Sequence, residues 1–346
     1  MTCNHTNSLV EKYSTEIALF TCHVVGQMTY TWISPDFCPA PSSDGFEDQE
    51  RVTSEYVFQE LCSLNPKGWR YAFDSLVLTG ELSWLKDVGA AQPVFLDKVA
   101  FACFSELAIV NSRQAHLVHY HSPNYPPLLR EIPDPPVVLT VVGNKKLLSL
   151  PTVSVVGARK ASSFAMRESF LIGRVFAEAG LNVVSGGAFG CDIAAHQGVL
   201  SCGKSPALAT VVLAGGLSAT YPKANDYLFR KIVAEGGALV SERMWWTTPK
   251  PRDFASRNRI VSGMSPAVFV MQAGEKSGAL ITARAALDHG RDVWVLEHEQ
   301  DDIRANGGSA LIRDGALNFK GVDYVPEVAT RYHKFSSQKI PFQHLC

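Results

Sequence analysis

The stretch Ser256-Arg257-Asn258-Arg259-Ile260-Val261-Ser262-Gly263 sets two guanidiniums two positions apart beside an apolar run. Arginine stays protonated at neutral pH and its planar fork of donors matches phosphate oxygens, so an Arg-Asn-Arg cluster is costly to place unless an anion meets it. That anion is a phosphate chain in one reading and the carboxylates of a salt-bridge cluster in the other. Gly157-Ala158-Arg159-Lys160-Ala161-Ser162-Ser163 puts a basic pair and two hydroxyls where a strand passes into a helix. Free backbone amides there favour phosphate, while helix capping by Ser162 or Ser163 would account for the same hydroxyls. Tyr221-Pro222-Lys223-Ala224-Asn225 offers Lys223 as a point contact to phosphate, with Pro222 also readable as a helix start. Ser277-Gly278-Ala279-Leu280-Ile281-Thr282-Ala283 opens a helix with small side chains, which admit a close backbone or sugar, or tight packing of helix on sheet.

Ser185-Gly186-Gly187-Ala188-Phe189-Gly190-Cys191-Asp192, with His196 four residues on, repeats the strand-to-helix pattern. Asp192 and His196 share a helix face and could act as an acid/base pair, but a helix N-terminal cap beside a satisfied imidazole fits the same spacing. The stretch has no Gly-Lys-Ser/Thr closure and no strict G-x-G-x-x-G, so ATP hydrolysis and nicotinamide binding lose support. Eight scattered cysteines without a C-x-x-C pair argue against a zinc knuckle and a disulfide framework. Cys191 reads as a small apolar filler rather than a nucleophile. No metal site and no cofactor are expected.

The elements that would position these groups begin at residue 152. Short β-branched runs at 153–156, 182–185, 207–213, 238–241, 267–271 and 292–296 alternate with segments of helical length at 164–179, 192–201, 224–234 and 278–289. That alternation predicts an α/β fold, a parallel sheet with crossover helices. Glycines follow the strands at Gly157, Gly186-Gly187, Gly215-Gly216 and Gly274, so the predicted carboxyl edge is open enough for a backbone-bound anion. Residues 137–142 read as an extra strand entering the sheet after the proline-rich joins at 122–127 and 132–136. The first 115 residues read as mostly helical, interrupted by a Pro/Ser/Gly loop at 34–45.

With 346 residues, 46% hydrophobic content and a net charge of −1, the chain can bury a large core. Between 151 and 319 there are 18 Lys and Arg against 15 Asp and Glu, and elsewhere 14 against 18. A nucleic-acid contact therefore has to be a local groove, not a whole-protein field. No apolar run approaches the ~20 residues of a membrane span, and no secretory signal is visible at the start. A cytoplasmic protein is expected.

Taken in order, Tyr125-Pro126-Pro127-Leu128-Leu129, Gly157-Ala158-Arg159, Ser185-Gly186 with Gly190, Asp192 and His196, Tyr221-Pro222-Lys223 with Asn225, Ser241-Glu242, Arg257-Asn258-Arg259, Ser277 to Ala283, and Asn306-Gly307 with Leu311-Ile312 and Gly315-Ala316 resemble the DNA-processing protein A family, DprA or Smf, over 116–319. The resemblance implies a Rossmann-like parallel sheet with helices on both faces, binding of single-stranded DNA, loading of RecA in natural transformation or recombination, a homodimer, and no catalysis. It implies that Arg159, Lys223, Arg257 and Arg259 line one positive pocket for the DNA backbone; Lys160, Gly186, Asn225, Asn258, Ser277 and Gly278 complete the expected DNA-binding set. The organisation expected is 1–115 N-terminal, 116–320 Rossmann-like and 321–346 a C-terminal tail too short for a winged-helix module. Four departures from the family pattern stand out: Phe164-Ala165 replaces a Tyr-Gly pair, Phe254-Ala255 replaces Phe-Pro, Gln272 stands where the family has Glu, and Glu297-His298-Glu299-Gln300-Asp301-Asp302 replaces a Pro-Gly turn and would repel phosphate if it faced the groove. The alternatives are a nucleotide-binding sensor and a nucleoside-monophosphate-cleaving enzyme of a related Rossmann-like group. The latter lacks its expected acid, since no carboxylate follows Gly278 until Asp288.

Overall fold

The computed structural model describes residues 20, 21, 23, 24 and 93–337, apart from 219 and 300. Nine strands form one sheet: β1 (His116–His119), β2 (Val138–Gly143), β3 (Thr152–Val156), β4 (Asn182–Ser185), β5 (Ala209–Leu213), β6 (Ala238–Ser241), β7 (Ala267–Val270), β8 (Asp292–Leu296) and β9 (Leu317–Phe319). Their spatial order is β1-β2-β6-β5-β4-β3-β7-β8-β9. From β6 to β9 every neighbouring pair is parallel, whereas β2 joins β6 and β1 joins β2 antiparallel. The parallel sheet expected from the sequence is thus the main part of a mixed one, with 138–143 as the added strand.

The strands alternate their side chains between two cores. Val153 and Val155 of β3, Val183 of β4 and Phe269 of β7 face one core, while Val156, Val184, Val268 and Val270 face the other. Burial on both faces is why these strands read as continuous β-branched runs. The first core is covered by α3 (Ser163–Glu178), α4 (Cys191–Ser201) and α5 (Asp226–Ala234). The second is covered by α2 (Pro127–Arg130), α6 (Pro251–Gly263), α7 (Gly278–Asp288) and α8 (Asn306–Arg313). Helices on both faces, as expected, complete a Rossmann-like arrangement.

Two further helices join the first core. α1 (Pro93–Ser112) contributes Cys103, Leu107 and Val110, and α9 (Val325–Ser337) contributes Val325, Ala329 and Tyr332. The tail expected from 321 onward is therefore corrected up to residue 337: it is a docked helix whose Tyr332 hydroxyl bonds Asp292 at 2.5 Å and accepts from Trp294 Nε1 at 2.9 Å. Of the first 115 residues, expected to be mostly helical, 93–112 form α1; the rest of that stretch, with the loop at 34–45, lies almost wholly outside the described residues.

The helix α6 was not expected. The chain leaves β6 and must reach β7 across β5, β4 and β3, so α6 runs beneath those strands on the second core. Hydroxyls of β3 fasten its end: Ser154 Oγ donates to Val261 O and Thr152 Oγ1 to Met264 O, both at 2.6 Å. These bonds satisfy polar groups that would otherwise cost free energy in a dry core.

Candidate nucleic-acid interface

Connections leave β3 toward β4 and leave β7 toward β8, in opposite directions along the sheet. At such a reversal the loops diverge and open a crevice at the carboxyl edge. The loop after β3 carries Arg159 and Lys160, both exposed. Arg159 holds its guanidinium 5.4 Å from the ring centroid of Phe254 in the first turn of α6. Tyr221, from the loop after β5, sets its ring edge-on to the same Phe254 at 5.4 Å. Two loops and one helix thus meet on a single aromatic ring, and Lys223 is exposed two residues beyond Tyr221.

Arg257 lies below this surface. It is 8% exposed, and its Nη1 donates to Gly186 O at 2.6 Å and also to Val212 O. It therefore ties the carboxyl ends of β4 and β5 to α6. A Cβ at Gly186 would lie 2.5 Å from Nη2, so only glycine admits the guanidinium there. Burial pulls the Arg257 pKa down to about 10, with Asp192 opposing the shift, so the group stays cationic at neutral pH. Arg257 is a buried brace that adds positive potential from beneath.

Arg259 departs from the sequence expectation. Two helical positions turn the side chain by about 200°, so Arg257 and Arg259 point to opposite sides of α6. Arg259 Nε donates to Asp134 Oδ2 at 2.7 Å, and Nη1 and Nη2 grip Glu242 at 2.9 and 2.6 Å. Its guanidinium is taken by two carboxylates and does not share the pocket of Arg159. Burial opposes ionisation of Glu242, but Arg259 outweighs it and holds the carboxyl below its ordinary range. For this arginine the salt-bridge reading is the one met.

The remaining expected residues mostly join loops to one another. Asn225 is buried and donates to Gly187 O at 2.9 Å, linking the loops after β5 and β4. Asn258 donates to Gly278 O at 3.3 Å, reaching across the crevice to the start of α7. Ser277 caps α7, its Oγ accepting from Ala279 N at 3.3 Å, and Gly278 is exposed beside it.

The family model for DNA recombination-mediator protein A matches residues 116–329. The chain belongs to that family. It is 40% identical over 198 residues to Protein Smf of Synechocystis sp., covering 56% of this chain and 49% of that protein. It is 35% identical over 211 residues to the DNA processing protein DprA of Bacillus subtilis, covering 61% and 70%. The chain spans about half the length of the first curated relatives it matches, 49% and 56%. Among solved structures, DprA of Streptococcus pneumoniae aligns with a TM-score of 0.61 at 29% identity, covering 78% of this chain and 95% of that one. DNA processing protein A of Helicobacter pylori, described for its single-stranded DNA binding mode, aligns at 0.57 and 28% identity, covering 64% and 98%.

The family match begins at β1 and ends within α9, so it takes in the whole sheet and leaves α1 outside. Inside it, the Asp192 carboxylate accepts from Ala188 N at 3.2 Å and holds the loop after β4 against α4. Its pKa is raised by burial, with Arg257 and hydrogen bonds from Ala188, Ser185 and Gly157 opposing. Gly190 at φ 81° is the residue that starts α4, and a Cβ there would overlap Ala158 O. His196 corrects the sequence reading: its imidazole is fully buried, and among the described residues neither ring nitrogen has a partner. Burial lowers its pKa to about 4, so it is neutral packing, neither a satisfied imidazole nor half of an acid/base pair. Burial likewise pushes the Cys191 thiol up to about 12, which fits a filler and no nucleophile.

The acidic segment is tethered at Asp302, while Glu299 and Asp301 are exposed. Asp302 Oδ2 accepts from Gln272 Nε2 at 2.9 Å and Oδ1 from Arg304 Nε at 2.7 Å. Gln272 in turn accepts from Ser162 N at 2.8 Å, so the amide bridges the loops after β3 and β8. Sequence reasoning missed Phe254 and the ring of Tyr221. The signal was present: Phe254 stands three residues before Arg257, on one helix face. Among the described residues no helix is long and apolar enough to cross a membrane, and no group of three or more His, Cys, Asp or Glu could hold a metal ion.

Proposed function

We propose that the carboxyl edge from β3 to β6 binds the sugar-phosphate backbone of single-stranded DNA, without chemical change to the strand, and that the protein protects incoming DNA and loads RecA onto it in the cytoplasm during transformation or recombination. The observation that carries the reading is Arg159. It is exposed, no carboxylate among the described residues pairs with it, and it stands over Phe254 with Arg257 buried below. An arginine left in water beside a second cation is poised for an anion from outside the chain. Asp192 and Asp253, on this side of the sheet, are buried and accept from backbone amides at 3.2 and 2.7 Å, which supports a binding role over a hydrolytic one. Family membership and the Helicobacter pylori relative, described for its single-stranded DNA binding mode, support the same ligand. The handover to RecA and a homodimer follow from the family resemblance.

Titration of fluorescent oligo-dT with the full chain at several salt concentrations tests this reading. Log affinity is expected to fall linearly with log salt, with a slope near −0.7 for each phosphate contacted, or about −2 for Arg159, Lys160 and Lys223 together. Affinity that does not change with salt, or tighter binding of a mononucleotide than of the oligonucleotide, would sink it.

A further inference from the structure

The strands β6, β5, β4 and β3 are successive neighbours in the sheet. The chain segment leaving the carboxyl end of each, with the first turn of the helix that follows, carries at least one large ring in water: Trp246 at 64% exposure after β6, Tyr221 at 49% and Tyr227 at 75% after β5, Phe189 at 45% after β4 and Phe164 at 40% after β3. Scattered apolar residues on a surface need no explanation, but an exposed ring after each of four neighbouring strands along a single edge is a pattern. Neighbouring strands lie about 4.8 Å apart, so these segments leave the sheet at intervals comparable to the repeat of a nucleotide chain.

The rings are held outward by the structure around them. Trp246 lies in a turn closed by Thr247 N donating to Met244 O at 2.9 Å. Both flanks of that turn are pinned: Trp245 N donates to the buried Glu106 carboxylate at 2.8 and 3.0 Å, and Gly216 N donates to Thr247 O at 2.8 Å. Trp245 is buried in the core while Trp246 is left in water. Tyr221 leans on Phe254, Phe164 stands edge-on to His298 at 5.4 Å, and Phe189 directly precedes Gly190, the residue that starts α4. Exposed Arg159, Lys160 and Lys223 occupy the same segments. The nearby Asp226 is engaged, accepting from Thr220 at 2.7 Å and Arg230 at 2.6 Å. Fixed rings among cations have the chemistry of a platform on which bases stack while phosphates are neutralised.

We infer that Trp246, Tyr221, Phe189 and Phe164 form a base-stacking track, so that a single strand crosses the edge from β3 to β6 and the bases, as well as the phosphates, carry affinity. This rests on the single-stranded-DNA reading above and adds to it that the ligand must have bases. Stacking tolerates any sequence but not the loss of the base.

The test compares oligo-dT with an abasic oligonucleotide of the same length, titrated into the full chain in high salt, where the phosphate contribution is weakened. Roughly tenfold or greater preference for oligo-dT is expected, and Trp246→Ala and Phe189→Ala should each lower that preference severalfold while abasic binding stays as it was. Equal binding of the two oligonucleotides, or binding of neither in high salt with both bound at low salt, overturns the track and leaves the electrostatic reading standing; binding of neither at low salt overturns both. Equal loss for both oligonucleotides in the variants also overturns it, because a damaged fold or a lost charge field acts without regard to bases. So does a change in oligomeric state with both affinities intact, which would make the rings a protein interface.

Discussion

The carboxyl edge of the sheet has two halves that meet between β3 and β7, alike in geometry and different in exposed charge, one cationic and the other mixed. On the β3-to-β6 half the exposed charges are Arg159, Lys160, Lys223, Lys250 and Arg252, and the acids Asp192, Glu242 and Asp253 are hydrogen-bonded inward. On the β7-to-β9 half Glu275, Glu299 and Asp301 are exposed together with Lys276 and Lys320, and Arg304 is folded back onto Asp302, so the two signs are mixed there. Both halves offer parallel strand ends and helix N-termini, which a Rossmann-like fold supplies wherever it occurs. On the proposed reading, the sign of the side chains decides which half meets phosphate. A strand of DNA that used both halves equally would contradict this division.

The largest effect expected concerns a cation that belongs to neither half. Arg259→Ala leaves Glu242 and Asp134 without their partner, and removal of one member of a nearly buried pair costs about 3 kcal/mol of stability. The Glu242 carboxyl is held low in the folded state, so the pair's contribution is present above the ordinary glutamate pKa of about 4.3 and is lost as pH falls through the folded value. Denaturant melts should therefore show the wild type losing an acid-sensitive increment that the variant lacks, while oligo-dT affinity of the folded variant stays within about twofold. A large loss of DNA affinity in folded Arg259→Ala would return this arginine to the pocket.

Next in size is Arg159→Glu. Reversing an exposed charge on the cationic half should weaken oligo-dT binding on the order of 100-fold at low salt and flatten the salt slope, with the melting curve unchanged. The same reversal at Lys276, on the mixed half, should do far less. Comparable losses at the two positions would erase the distinction between the halves.

The sheet was legible because β3, β4, β5 and β7 are buried on both faces and so appear as unbroken β-branched runs between glycines. The helix α6 was not. Its buried side includes Asp253 and Arg257 alongside Ile260 and Val261, so charged residues satisfied by hydrogen bonds stand where an apolar stripe would have signalled a helix. Missing that helix made Arg257 and Arg259 look like one fork, when a helical period sends one to Gly186 and the other to Glu242. Arg159 and Lys223 needed only their strand-to-loop position to be placed on the edge. The solitude of His196 had no signature at all, because a sequence does not say what surrounds an imidazole.

The smallest effect expected lies at the seam between the halves. Gln272 accepts from Ser162 N and donates to Asp302, so one amide satisfies the loop of the cationic half and the acid of the other. Gln272→Glu keeps the acceptor and replaces the donor with an oxygen facing Asp302, where two carboxylates would share a site. One of them must then take up a proton or move away, a cost of roughly 1–2 kcal/mol at neutral pH. Because that carboxyl pKa is raised in the folded state, the penalty grows as pH rises above the ordinary glutamate value and fades below it, opposite in sign to the Glu242 pair. Melting temperatures of Gln272→Glu and wild type should converge on acidification, and oligo-dT affinity at neutral pH should fall only a few fold, through the added charge beside Arg159. If the variant is as stable as wild type at neutral pH, Asp302 is not held by that amide, and the acidic segment is free to approach the cationic half.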